Sequence, residues 1–126
     1  MKVIVDTSVW VAHFKARNDA LVALMQRDAM LTHPMVLAEL ACGTPPTPRA
    51  ATLGDIALFE APNQAGIPEL LDFIEREQLF GQGCGLVDIA LLASTLITPA
   101  AQLWTEDRRL AGLAERFGVA YLPQTH

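Results

Sequence analysis

Val3, Ile4 and Val5 form a β-branched run with no polar break, and the chain then turns abruptly to Asp6, Thr7 and Ser8. So short an unbroken apolar run predicts a strand buried on both faces, as in a parallel sheet covered by helices. From Val9 to Ala16 the spacing becomes helical, with Trp10 and Phe14 four residues apart on one face. These aromatics read as core or dimer contacts rather than as a base-stacking platform. Asn18-Asp19 predicts the cap of a second helix reaching about Arg27, with Leu21, Val22, Leu24 and Met25 inward. Met30-Leu31-Thr32 reads as a second strand. Pro34 stands at the first position of the next helix, where its missing N–H costs nothing, and Gly43 stops that helix after Cys42.

Thr44-Pro45-Pro46-Thr47-Pro48 is a stiff break and predicts a loop at the rim of the domain. Arg49 to Phe59 reads as a helix, Ala61-Pro62-Asn63 as a turn, and Ile67 to Leu79 as a strongly amphipathic helix. Leu70, Leu71, Phe73, Ile74 and Phe80 supply its apolar side, and Glu69, Asp72, Glu75, Arg76 and Glu77 its wet side. The glycine-rich stretch Gly81 to Gly85 leads into an almost wholly apolar helix through Ile97. No Lys-Ser/Thr follows these glycines, so they are not a P-loop. They read as a loop that brings the backbone close to the next helix. Gln102 to Thr105 predicts a third strand, Arg108 to Phe117 a helix ended by Gly118, and Val119 to Leu122 a final strand closing the sheet. The order implies an α/β fold with a small, mostly parallel sheet flanked by helices, and residues 1–126 as one domain.

Composition narrows the picture. Of the 126 residues 52% are hydrophobic and only 18% charged, a surplus that predicts an apolar surface for a dimer or partner. The formal charge of −5 argues against a protein that coats nucleic acid by electrostatics alone. It leaves room for a nuclease, since clustered acids weigh fully in that sum while a bound cation would offset them. Cys42 and Cys84 lack metal-motif spacing and fit a reducing cytoplasm as small apolar residues. Asp6 interrupts any leader-like apolar run, and Asp88 interrupts the apolar stretch from Leu86 to Ile97, itself too short to span a bilayer. The expectation is a soluble cytoplasmic protein with no membrane contact.

Four acids sit where local structure offers only an apolar stretch or a strand end: Asp6, Glu39, Asp88 and Asp107. Three of them have a plain structural reading. Asp6 or Ser8 could cap the helix that follows, Glu39 could face solvent, and Asp88 could stabilise a helix N-terminus. The crevice beyond the carboxyl ends of parallel strands is nevertheless where ligands bind in open α/β sheets. Several carboxylates in one crevice repel unless a cation sits among them, and such hard oxygens suit Mg²⁺ or Mn²⁺. No His/Cys cluster offers a zinc site. A carboxylate-held metal suits hydrolysis of a nucleic acid backbone.

The same residues carry a resemblance. Val5-Asp6-Thr7-Ser8-Val9-Trp10, Leu37-Ala38-Glu39-Leu40 ending in Gly43, Gly85-Leu86-Val87-Asp88-Ile89-Ala90-Leu91-Leu92-Ala93, and Leu103-Trp104-Thr105-Glu106-Asp107-Arg108-Arg109-Leu110 follow one another in order. Together they resemble the PIN-domain ribonucleases, in particular the VapC-type toxins of bacterial toxin–antitoxin pairs. The resemblance covers essentially the whole chain, although Thr44 to Gln82 carries no motif. It implies a Mg²⁺- or Mn²⁺-dependent endoribonuclease acting on tRNA or another structured RNA. Asp6, Glu39, Asp88 and Asp107 would be the metal-binding and catalytic acids, with Thr7 or Ser8, and Thr105, orienting ligands or water. It further implies a homodimer silenced by a cognate antitoxin, for which Trp10–Phe14 and Pro34–Cys42 offer apolar surfaces. Strand alternation turns Glu106 away from Asp107.

Among the basic residues Lys15, Arg17, Arg49, Arg108 and Arg109, the two that follow the fourth acid, Arg108 and Arg109, are the best placed to hold RNA phosphates. Two other readings remain open. One is a phosphotransfer aspartate at Asp6, which would want a second acid where Ser8 stands. The other is a non-catalytic PIN-like module that binds RNA or protein.

Overall fold

The computed structural model describes residues 1–123. Its elements run β1 (Lys2–Val5), α1 (Thr7–Lys15), α2 (Asp19–Gln26), β2 (Met30–Leu31), α3 (Pro34–Cys42), α4 (Arg49–Ala57), α5 (Ile67–Glu77), α6 (Leu86–Ile97), β3 (Ala101–Trp104) and α7 (Arg108–Arg116). The three strands form one sheet in the order β2-β1-β3, all parallel, with Val3 opposite Met30 and Val5 opposite Trp104. The first strand is therefore central. Val3, Ile4 and Val5 are fully buried because helices cover both faces, the packing their unbroken apolar pattern implies. None of the helices is long and apolar enough to cross a membrane.

Parallel pairing has one consequence for the site: the carboxyl ends of the strands lie along one edge. Asp6 follows β1 and Thr105 follows β3, and the ladder runs one step beyond the strands through a bond from Asp6 N–H to the Trp104 carbonyl at 2.9 Å. Whatever chemistry the residues after these strands hold is gathered at that edge.

Three expectations are corrected. The final strand is reduced to a single parallel bridge between Ala120 and Leu103. Leu103 donates to the Val119 carbonyl at 2.8 Å and accepts from Tyr121 at 2.9 Å. In a parallel ladder the next N–H this segment could donate belongs to residue 123, which is proline and has none, so the segment cannot extend its pairing on that side.

The apolar side of α5 is narrower than expected. Leu70 and Phe73 are buried and Ile74 packs partly, but Leu71 is 60% exposed and Phe80 59% exposed. Gln78 ends the helix in a left-handed conformation (φ 55°), so Phe80 leaves the helical face and Leu79 is buried in its place. Finally, Cys42 is exposed rather than packed as a small apolar residue, because it lies in the last turn of α3 beside the open loop.

Candidate active site

Asp6 occupies the N-cap position of α1, yet its side chain makes no capping bond. Its carboxylate is 5% exposed and forms no ion pair among the described residues. A charge so buried requires strong hydrogen bonds. Both come from hydroxyls: Ser8 Oγ and Thr105 Oγ1 each donate to Asp6 Oδ2 at 2.7 Å. The hydroxyls are themselves aimed by the backbone. Glu106 N–H donates to Ser8 Oγ and Asp107 N–H to Thr105 Oγ1, each at 3.0 Å, which leaves the hydroxyl protons to point at Asp6. The capping reading of Asp6 is thus replaced by a tethered, buried carboxylate. Position 8 holds a donor to Asp6, not the second acid of a phosphotransfer site.

Glu39 lies on the exposed side of α3 and is met by Thr7, whose Oγ1 donates to Glu39 Oε1 at 2.6 Å. Thr7 and Ser8 therefore serve different acids, joining the end of β1 to α3 on one side and to the end of β3 on the other. Asp88, at the third helical position of α6, accepts from Gly85 N–H at 3.3 Å through Oδ2. Asp107 caps α7, with Oδ1 accepting from Arg109 N–H at 2.9 Å and Leu110 N–H at 3.0 Å. The helix-stabilising reading of Asp88 is correct as far as it goes, and Asp107 does the same for α7.

A common pattern emerges. Each of the four carboxylates has one oxygen held by protein donors, while no protein donor reaches the other oxygen among the described residues. Each is oriented and still has a lone-pair face to offer.

The acids also feel one another. Burial, followed by the negative charges of Asp6, Asp107 and Glu39, pushes the Asp88 carboxyl above its ordinary value, against the lowering effect of the Gly85 N–H bond. All three other acids act on Asp88, so the four share one electrostatic neighbourhood. Hard oxygen donors of this kind fit a Mg²⁺-sized cation. As the side chains stand, no group of three His, Cys, Asp or Glu among the described residues is spaced to hold a single ion.

Of the basic residues, Arg49 donates to the Gly43 and Ala41 carbonyls at the end of α3, and Arg17 pairs with Asp19. Neither is directed at the acids. Arg109 packs on the glycine-rich loop, with Nη1 3.5 Å from the Gly83 carbonyl. Two residues that the sequence reading did not single out support the site from behind. Buried His33 caps α3 through Nδ1, which accepts from Met35 N–H at 3.0 Å, and so sets the helix that carries Glu39. Its place directly before a proline at the first helical position was the available signal. Gly83 is the second.

The chain is 37% identical over 123 residues to Ribonuclease VapC32 of Mycobacterium tuberculosis, strain H37Rv, with 94% of each chain covered. The same figures hold for Ribonuclease VapC32 of strain CDC 1551. No protein-family model and no solved structure matches the chain.

Proposed function

The chain belongs to the VapC-type PIN-domain ribonuclease toxins, and we propose that Asp6, Glu39, Asp88 and Asp107 hold Mg²⁺ or Mn²⁺ for endonucleolytic hydrolysis of RNA, with tRNA or another structured RNA as substrate. The observation that carries this reading is the pairing of restraint and availability at all four acids. One oxygen of each is tethered, the other is open, and Asp88 lies in the field of the other three.

When bound, a divalent cation supplies activation of water and charge stabilisation at the phosphodiester oxygens. The chain's own contribution is orientation. Ser8 and Thr105 fix the plane of the Asp6 carboxylate, Thr7 fixes Glu39, and two backbone N–H groups at the start of α7 fix Asp107. A cation held by the open oxygens of these acids would offset the repulsion among their charges.

The antitoxin and the second copy of the toxin need apolar surface. A groove of about 620 Å³ between α1 and α3 is lined by Val11, Phe14, Leu40 and Pro45 and reaches Glu39, which supports an antitoxin segment lying there and covering the acids. A second groove, of about 440 Å³ between α5 and α6, is lined by Pro68, Phe73, Ala93, Leu96 and Ile97 and supports self-association.

The test is cleavage of total RNA and defined tRNAs by antitoxin-free protein in Mg²⁺, in Mn²⁺ and in EDTA. Discrete fragments that appear with metal and vanish with chelator and in Asp88→Asn support the proposal. Cleavage that persists in EDTA would remove the metal from it, and folded protein that binds RNA without cutting it would favour a non-catalytic module.

A further inference from the structure

The glycine-rich loop before α6 has a role beyond that of a connector. Gly83 has a φ of +81°, and a Cβ placed there would lie 2.8 Å from Arg109 Cδ, 2.9 Å from Nε and 3.0 Å from Cζ. A Cβ there would displace the Arg109 side chain from this place, and the left-handed φ itself disfavours any residue but glycine. Arg109, in the first turn of α7, therefore lies flat on the loop backbone, with Nη1 3.5 Å from the Gly83 carbonyl. This loop leads directly into Gly85, whose N–H holds Asp88, and Arg109 N–H holds Asp107. Cys84 records the same neighbourhood: burial, Asp88 and Asp107 push its thiol up, and the Arg109 guanidinium pulls it down.

Despite this company Arg109 forms no ion pair with any acid among the described residues. A guanidinium has five N–H donors in a planar fork, and the long contact to Gly83 uses one of them. By contrast Arg17, Arg76 and Arg116 pair with Asp19, Asp72 and Glu77, and Arg49 holds helix-end carbonyls. Arg108 has neither a partner nor a seat among the described residues, and adjacent helical positions point to different sides. An RNA approaching four carboxylates on a chain of charge −5 needs a fixed positive group beside them.

We propose that Arg109, seated on Gly83, binds an RNA phosphate next to the scissile bond, and that Gly83 is a positioning residue that gives the guanidinium its place. This rests on the ribonuclease reading of the four acids. A pre-seated fork can take a phosphate through two parallel hydrogen bonds, which a freely rotating arginine does less well.

The test uses RNA binding by the full-length Asp88→Asn protein in Mg²⁺, so that affinity is read without cleavage, and kcat and KM in the otherwise unaltered enzyme. Arg109→Ala should weaken RNA binding about tenfold and lower the salt slope by about one. In the active enzyme it should act mainly on KM, and Arg109→Lys should recover part of the loss. Arg108→Ala should cost less. Gly83→Ala should reproduce Arg109→Ala, and adding it to Arg109→Ala should cost nothing more. Should Gly83→Ala fail to fold, the arginine series decides by itself. Unchanged affinity and salt slope in Arg109→Ala, or an equal loss in Arg108→Ala, would overturn the assignment while leaving the metal site standing. A parent protein that neither binds nor cuts RNA would bring down both.

Discussion

Thr105 Oγ1, just past the end of β3, donates to Asp6 Oδ2, just past the end of β1, at 2.7 Å across the parallel strand pair. The same hydroxyl accepts from Asp107 N–H at 3.0 Å, so one side chain links the first acid to the fourth. Thr105→Val keeps the shape and removes both bonds. Loss of a hydrogen bond to a buried charge should cost about 1–3 kcal/mol of stability. Cleavage should fall by at least about tenfold, since a misaimed carboxylate is a misplaced ligand. Urea unfolding and kcat on one RNA check both; a variant with native stability and turnover would mean the linkage is incidental.

Asp88 gives a prediction of opposite sign. Its carboxyl is held above its ordinary value by burial and by three like charges. The folded state therefore binds this proton more tightly than the unfolded state does, and stability falls as pH rises from the unfolded value through the raised one. Asn keeps an oxygen for Gly85 N–H and carries no charge. In metal-free buffer at neutral pH, Asp88→Asn should melt at or above the wild-type temperature while losing activity. A clear drop in melting temperature would show that the charge stabilises the fold.

His33 should make the protein acid-sensitive. Its imidazole is 3% exposed, and burial lowers its pKa below the usual 6.5. Nδ1 must stay unprotonated to accept from Met35 N–H. The stability this cap contributes is complete above about 6.5 and is lost as pH falls through the lowered folded value. Asn accepts at the N-cap without titrating. His33→Asn should therefore show a shallower fall in melting temperature between pH 7.5 and 5 than the wild type; equal slopes would assign the acid sensitivity to other groups.

Much of this was legible in the chain because short-range chemistry dictates it. The run Val3-Ile4-Val5 gave away a covered parallel strand, and Asn18 and Pro34 marked the helix starts that the structure contains. The four acids stood out for a related reason, each being a charge set in an apolar stretch or at a strand end. What stayed hidden depends on pairs distant along the chain. That Ser8 serves Asp6 while Thr7 serves Glu39 is decided by where β3 and α3 arrive, and the seat of Arg109 lies 26 positions back at Gly83. The truncated final strand could have been read from Pro123, had the parallel register been known.

The groove between α1 and α3 sets a prediction for regulation. Val11 is 39% exposed on its wall and is not among the residues whose hydrogen bonds orient the acids. Val11→Asp should weaken the antitoxin complex by at least about tenfold, as a charge in an apolar seat does, and leave RNA cleavage by free toxin unchanged. Calorimetry with the antitoxin, beside a cleavage assay, separates the two. Wild-type affinity would place the antitoxin on another face.

Mn²⁺ titration of the wild type against Asp6→Asn, Glu39→Gln, Asp88→Asn and Asp107→Asn, with RNA cleavage followed on the same samples, asks whether the four acids act as one metal site. The wild type should bind Mn²⁺, removal of any one acid should weaken binding at least about tenfold, and cleavage should fall in step. Variants that bind Mn²⁺ as the wild type does, or that cut RNA without it, would show that the acids do not form one metal site.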